Sequence, residues 1–145
     1  MTVQSIDAAA REIQAAQAGS LPGLLGFEWL RVQAQTVEGR LDVRKHHLAP
    51  TGFLHAATVV ALADAAAGFG CLHWLPEDAS GFTTVELKTN FLGTCREGGV
   101  RCRAHLVHGG RTTQVWDAEV TREDNGKTIA LFRCTQMLLT APAAG

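Results

Sequence analysis

The sequence predicts an α+β fold in which an antiparallel sheet curls around one long central helix, with a short N-terminal helix ahead of it. Three observations carry this prediction. Residues 53–74, FLHAATVVALADAAAGFGCLHW, are rich in alanine and apolar on almost every side. A helix apolar all round is a buried one, and the stretch is too long for an ordinary strand. Segments at 27–35, 37–45, 81–93, 99–108, 111–122 and 127–139 carry β-forming residues alternating with polar ones, the pattern of half-buried strands. The chain has 145 residues, 46% hydrophobic and 19% charged, which suits a single domain with a substantial core.

The elements follow in order. Residues 5–18 read as an amphipathic helix, because Ile6, Ala9, Ala10, Ile13 and Ala16 recur at helical spacing and Gly19 follows as a stop. Residues 1–19 therefore form an N-terminal helical segment, and Leu21–Gly26 reads as a loop. Within 46–52, HHLAPTG, Pro50 lacks an amide hydrogen and Gly52 favours a turn, so no strand continues there. The run VRCRAHLV at 100–107 alternates cleanly, and Asn125-Gly126 is a hairpin signal between the last two strands. The end, APAAG at 141–145, reads as a frayed tail. A sheet wrapped on the long helix covers only its sheet-facing sides. The remaining face, read as Val59, Val60, Ala63 and Ala67, needs a second cover, which predicts a homodimer.

Net charge is −1, so bulk charge gives no reason to expect nucleic acid or an acidic membrane as partner. A membrane span is a competing reading of 53–74, since its length suffices. Asp64, His55, His73 and two glycines weaken that reading. The N-terminal MTVQSIDAAAREIQ carries acids and lacks an apolar run, unlike a signal peptide. Cys71, Cys95, Cys102 and Cys134 show no metal-ligand spacing. The simplest reading is free thiols in a reducing compartment, hence a cytoplasmic protein.

Asp64 is the residue that composition does not explain. From Phe53 to Leu72 it is the only side chain charged at neutral pH. Burying an unpaired carboxylate costs several kcal/mol. Such a residue bonds local backbone amides, faces a polar patch, or has a chemical task.

Pro50-Thr51-Gly52-Phe53-Leu54-His55-Ala56-Ala57, followed by Leu62-Ala63-Asp64, resembles the phenylacetate-pathway and 4-hydroxybenzoyl-CoA thioesterases. Those hotdog-fold proteins carry a pattern near N-P-x-G-x-x-H-G-G-x-x-x-x-L-A-D/E. The run 84–92, TVELKTNFL, resembles their next strand, and 107–112, VHGGRT, their later hairpin. The resemblance covers about residues 48–139. It implies hydrolysis of an acyl-CoA thioester to free acid and CoA, without metal or cofactor, coenzyme A being part of the substrate. Asp64 is implied as nucleophile or general base, the Ala56 amide as oxyanion donor, and His55 as a residue that positions the thioester. Gly52, Ala57 and Thr84 complete the implied surroundings of the thioester. Arg111 and Thr112 match a region that contacts CoA phosphates in relatives, and Arg96 would assist. The chemistry is consistent, because helix N-terminal amides present free donors to the charge that develops on a thioester oxygen. A carboxylate then supplies direct attack or proton removal from water.

Each of these residues also has an ordinary structural reading: helix capping for His55, solvated charge for Arg96 and Arg111, strand propensity for Thr84. The sequence departs from the pattern at Ala49, where relatives usually have Asn, at Ala56-Ala57, which replaces Gly-Gly, and at Gly68, where some relatives place a polar side chain. Alanine does not easily adopt positive φ. Two other functions compete. Asp42 and His47 have the five-residue spacing of hotdog enoyl-CoA hydratases, without the intervening Asn-Pro. A non-catalytic acyl-CoA-binding protein would use the same fold.

The spacing of His55 and Asp64 carries a further consequence. Nine positions along a helix span about 13.5 Å, whereas both groups must come within about 3 Å of one thioester carbon. If both act, they come from different chains. Antiparallel central helices across a two-fold axis would place each N-terminus beside the partner's carboxylate, giving a dimer with shared sites, paired in turn into a tetramer.

Overall fold

The structure is a computed structural model and describes residues 6–141. It contains helices α1 (Ala8–Ala16), α2 (Leu21–Leu24) and α3 (Ala56–His73) and strands β1 (Glu28–Gln33), β2 (Thr36–Asp42), β3 (Ala79–Phe91), β4 (Gly99–Gly109), β5 (Thr113–Arg122) and β6 (Thr128–Thr140). The six strands form one antiparallel sheet in the order β1-β2-β4-β5-β6-β3. α3 packs across one face of that sheet and touches β2 through β6. The predicted architecture is the observed one.

Several boundaries differ, each for a local reason. α1 starts at Ala8 because Asp7 caps it: Asp7 Oδ1 accepts from the Ala10 amide at 2.8 Å, and Oδ2 accepts from the Val32 amide at 2.7 Å. One carboxylate thus caps the helix and fastens it to β1. Residues 1–5 of the expected N-terminal helical segment and residues 142–145 of the expected tail lie outside the described residues. The expected loop at 21–26 contains the single turn α2, with Pro22 in its first turn where a missing amide proton is harmless. α3 begins three residues later than read, because Leu54 pairs with Leu48 in an isolated bridge and His55 serves as N-cap. The Asn125-Gly126 hairpin forms as read, with Gly126 at φ +69° and the Lys127 amide donating to Asn125 Oδ1 at 2.9 Å.

α3 is long and apolar enough, by length and composition, to cross a membrane. Here it is the core helix. Leu62, Ala63, Ala66 and Ala67 are fully buried beneath the sheet together with Trp29, Val37, Leu41, Trp116 and Ile129. The expected spare face needs correction. Val59, Ala63 and Ala67 are buried by the chain itself. The stripe left open is Ala57, Val60, Ala61 and Asp64, at i, i+3, i+4 and i+7. Exposed Val85, Leu87 and Phe91 lie on β3, the edge strand.

Gly70 of α3 meets the core most tightly. A Cβ there would lie 2.4 Å from the Trp116 ring. That ring is held by its indole N–H, which donates to Gln114 Oε1 at 2.8 Å, while Gln114 Nε2 donates to the Trp74 carbonyl at 2.9 Å. Gly70→Ala is therefore expected to destabilise the fold by about 1–3 kcal/mol through overpacking, read as a lower denaturation midpoint. An unchanged midpoint would contradict this packing.

Candidate active site

The start of α3 is held by a short network. The His47 carbonyl accepts from the His55 amide at 2.9 Å and from Thr58 Oγ1 at 3.0 Å. Leu54 donates its amide to Thr94 Oγ1 at 2.9 Å. Gly52, at φ +89°, closes the turn before the helix by donating to the Ala49 carbonyl at 2.8 Å. Only glycine adopts that conformation without strain.

His55 caps the helix, as its structural reading held. Its Nδ1 accepts from the Ala57 amide at 2.9 Å. A neutral ring accepting at Nδ1 carries its proton on Nε2, so exposed His55 presents an N–H donor outward. The amides of Thr58 and Val59 donate to the His55 carbonyl. The Ala57 amide is consumed by the cap, and the Ala56 amide has no acceptor among the described residues. Both alanines are exposed. Among the described non-glycine residues only Ala34 and Gln35 have positive φ, so Ala56-Ala57 follow the helix without strain. The helix start thus offers two free donors, Ala56 N–H and His55 Nε2–H, at the positive end of the helix dipole.

Asp64 lies two turns further along the same open stripe and is half-buried. Burial pushes its carboxyl above the usual carboxylate range, and the Thr84 hydroxyl lies 3.2 Å from Asp64 Oδ1. Thr84 Oγ1 also lies 2.8 Å from Gln136 Oε1. Among the described residues no cation contributes to the charge state of Asp64. One turn beyond it, Gly68 leaves room for the Phe82 ring, which a Cβ would meet at 2.9 Å. An apolar ring therefore occupies the space that a side chain at this position would need.

The chain brings the predicted residues into two groups. Gly52, His55, Ala56 and Ala57 meet at the helix start, where the Arg96 guanidinium stacks 4.6 Å over the Phe53 ring. Asp64 and Thr84 form the second group. From Ala56 to Asp64 is about 12 Å along the axis at roughly 1.5 Å per residue. Arg111 and Thr112 are exposed in the β4–β5 turn, at the sheet end towards which α3 runs, and the Thr112 carbonyl accepts from the Leu138 amide at 2.9 Å. Lys88 is solvent-facing. Among the described residues no three His, Cys, Asp or Glu side chains gather as metal ligands.

Gln136 was not singled out from the sequence. It falls in phase with Phe132, Cys134 and Leu138 on the buried face of β6. A polar residue on an apolar strand face was the available signal. The Asp42–His47 spacing does not become a site. Asp42 Oδ1 accepts from Arg40 at 2.6 Å, while the buried His47 ring sits between the Arg44 amide and the Leu25 carbonyl at 2.8 and 2.7 Å. Both side chains are already partnered.

The Thioesterase superfamily model matches residues 51–129. The chain belongs to that family and is a thioester hydrolase of the hotdog fold. It is 32% identical over 111 residues to a 1,4-dihydroxy-2-naphthoyl-CoA hydrolase of Listeria monocytogenes, covering 77% of this chain and 89% of that protein. The corresponding Escherichia coli hydrolase is 27% identical over 124 residues, covering 83% and 88%. A mutant of thioesterase PA1618 from Pseudomonas aeruginosa superposes with a TM-score of 0.86 at 27% identity, covering 96% of this chain and 98% of that one.

Proposed function

We propose that this chain hydrolyses an acyl-CoA thioester to free acid and CoA, with Asp64 as nucleophile or general base and the Ala56 amide as oxyanion donor. The observation that carries the reading is Asp64 itself: a half-buried carboxylate, without a cation among the described residues, on the open stripe of an otherwise apolar helix. In the base route, Asp64 takes a proton from water, hydroxide bonds to the carbonyl carbon, and the C–O electrons move to oxygen. The oxyanion is met by Ala56 N–H and His55 Nε2–H. Collapse breaks the C–S bond, and the thiolate collects the proton from Asp64. In the nucleophilic route the carboxylate bonds to carbon first, the C–S bond breaks and its electron pair leaves on the thiolate. Water then opens the anhydride, restoring the Asp64 carboxylate and releasing the acid, and one of the water protons passes to the thiolate. Neither needs metal or cofactor. The named CoA hydrolases among the relatives support CoA as the thiol.

The separation of about 12 Å between the two groups favours a homodimer whose sites each take the donors of one protomer and the Asp64 of its partner. The open stripe on α3 and the exposed apolar residues of edge strand β3 would be covered in that dimer, which pairs into a tetramer. Gly52, Ala57, Thr84 and Arg96 shape the thioester end, while Arg111 and Thr112 meet the CoA phosphates. Four free, buried cysteines support a cytoplasmic setting.

The test is a panel of aromatic, medium-chain and hydroxylated acyl-CoAs, with released thiol read by a chromogenic reagent. Thiol release from at least one acyl-CoA supports the reading; hydration of crotonyl-CoA without thiol release would replace it. With a substrate in hand, Arg111→Ala is expected to raise KM more than it lowers kcat, since phosphate contacts bind ground and transition states alike. The effect should fade in high salt. An unchanged KM at low salt would make Arg111 ordinary surface charge.

A further inference from the structure

Thr84 faces two acceptors with one proton. Its Oγ1 lies 2.8 Å from Gln136 Oε1 and 3.2 Å from Asp64 Oδ1. A hydroxyl donates once and accepts through its lone pairs, so the two bonds cannot both be donated. Gln136 holds the shorter distance. It is fully buried, in register with Thr84 across the β3–β6 pair, and its Nε2 donates to Cys134 Sγ at 3.4 Å. With its amide nitrogen so engaged, Gln136 presents oxygen to the hydroxyl.

We propose that Gln136 is a positioning residue acting on Asp64 through Thr84: by taking the hydroxyl proton it turns a Thr84 lone pair towards Asp64 and favours the protonated carboxyl. The inference rests on Asp64 being the carboxylate of the reaction. Its use lies in the middle of the cycle. Once Asp64 has taken a proton from water, its O–H donates to the Thr84 lone pair, and the proton stays there until the departing thiolate collects it. A base that holds its proton above the ordinary carboxylate range is more effective than an ordinary carboxylate. Burial of Asp64 acts in the same direction.

The other titratable groups near Asp64 do not supply this effect. Cys134 on β6 and Cys71 on α3 are thiols pushed up by burial to about 12 and about 11, hence neutral. Glu86, beyond the irregularity in β3, accepts from Thr135 Oγ1 at 2.8 Å and is exposed. Among the described residues no basic group acts on Asp64.

The test is the acid limb of kcat/KM against pH. Gln136→Met keeps the side-chain length but removes the acceptor, so Thr84 turns its proton to Asp64. The limb is expected to move down by about half a pH unit or more, the size of a gained hydrogen bond to the charged form. Gln136→Asn, whose amide ends one methylene short of Thr84, should do the same and guards against loss of fold, which circular dichroism checks. In a Thr84→Val background, Gln136→Met should leave the limb in place, because the coupling runs through the hydroxyl. An unmoved or raised limb in folded Gln136→Met and Gln136→Asn proteins overturns the inference, as does an equal shift in the Thr84→Val background. Asp64→Asn separates the two ideas. If it abolishes hydrolysis while the Gln136 variants leave the limb unmoved, only the role of Gln136 falls; if it remains active, the reading of Asp64 falls with it.

Discussion

Asp64→Asn is expected to lower kcat by at least about a hundredfold, the low end of acid–base catalysis, while making the protein more stable at neutral pH. The two effects have one origin. Burial raises the Asp64 carboxyl above its usual range. A group raised in the folded state contributes stability that is present below the ordinary carboxylate range. That contribution is lost as pH rises through the raised value. Asparagine fills the same space and never ionises. Its thermal midpoint should therefore exceed the wild type's at neutral pH, and the gap should close as the solution is acidified. Activity exchanged for stability is what a working, strained site shows. Near-wild-type hydrolysis by folded Asp64→Asn would remove Asp64 from the mechanism. Lower stability at neutral pH would mean that the carboxylate serves the fold.

The second large effect is expected from Ala56→Pro. Ala56 is the first residue of α3, where proline is well tolerated. The preceding His55 has φ −65° and ψ 134°, the extended conformation that a following proline requires. The amide proton removed has no acceptor among the described residues. The substitution thus deletes one oxyanion donor and little else. Loss of such a donor lowers kcat by about a hundred- to a thousandfold, and the melting temperature should stay near the wild type's. Unchanged kcat would assign stabilisation of the oxyanion elsewhere.

The elements of this fold were legible where one physical signal dominated. α3 showed itself because alanine and apolar residues surround it on all sides, and the strands because their side chains alternate. α2 was hidden, since the single turn LPGL is built from residues that usually punctuate helices. The face of α3 left for a partner was misread at Val59, Ala63 and Ala67. Periodicity marks which residues are apolar, but only the sheet's placement decides which of them it covers. Asp64 stood out as a lone charge in an apolar run. Its environment did not, because Thr84 lies 20 residues beyond Asp64 and Gln136 a further 52 beyond Thr84. The division of labour at the helix start was hidden too: nothing in HAAT says that His55 takes the Ala57 amide and leaves Ala56 free.

The central claim is a thioester site assembled from two chains, and complementation tests it most directly. Asp64→Asn and Ala56→Pro chains carrying different affinity tags are co-expressed, and the heterodimer is isolated through both tags. Each parent homodimer has two crippled sites. The heterodimer has one site with both lesions and one with neither, so it should recover about half the wild-type activity per dimer, as two-fold symmetry requires. Failure to recover activity in a verified heterodimer of two folded chains would contradict the account, as would full hydrolysis by a monomer.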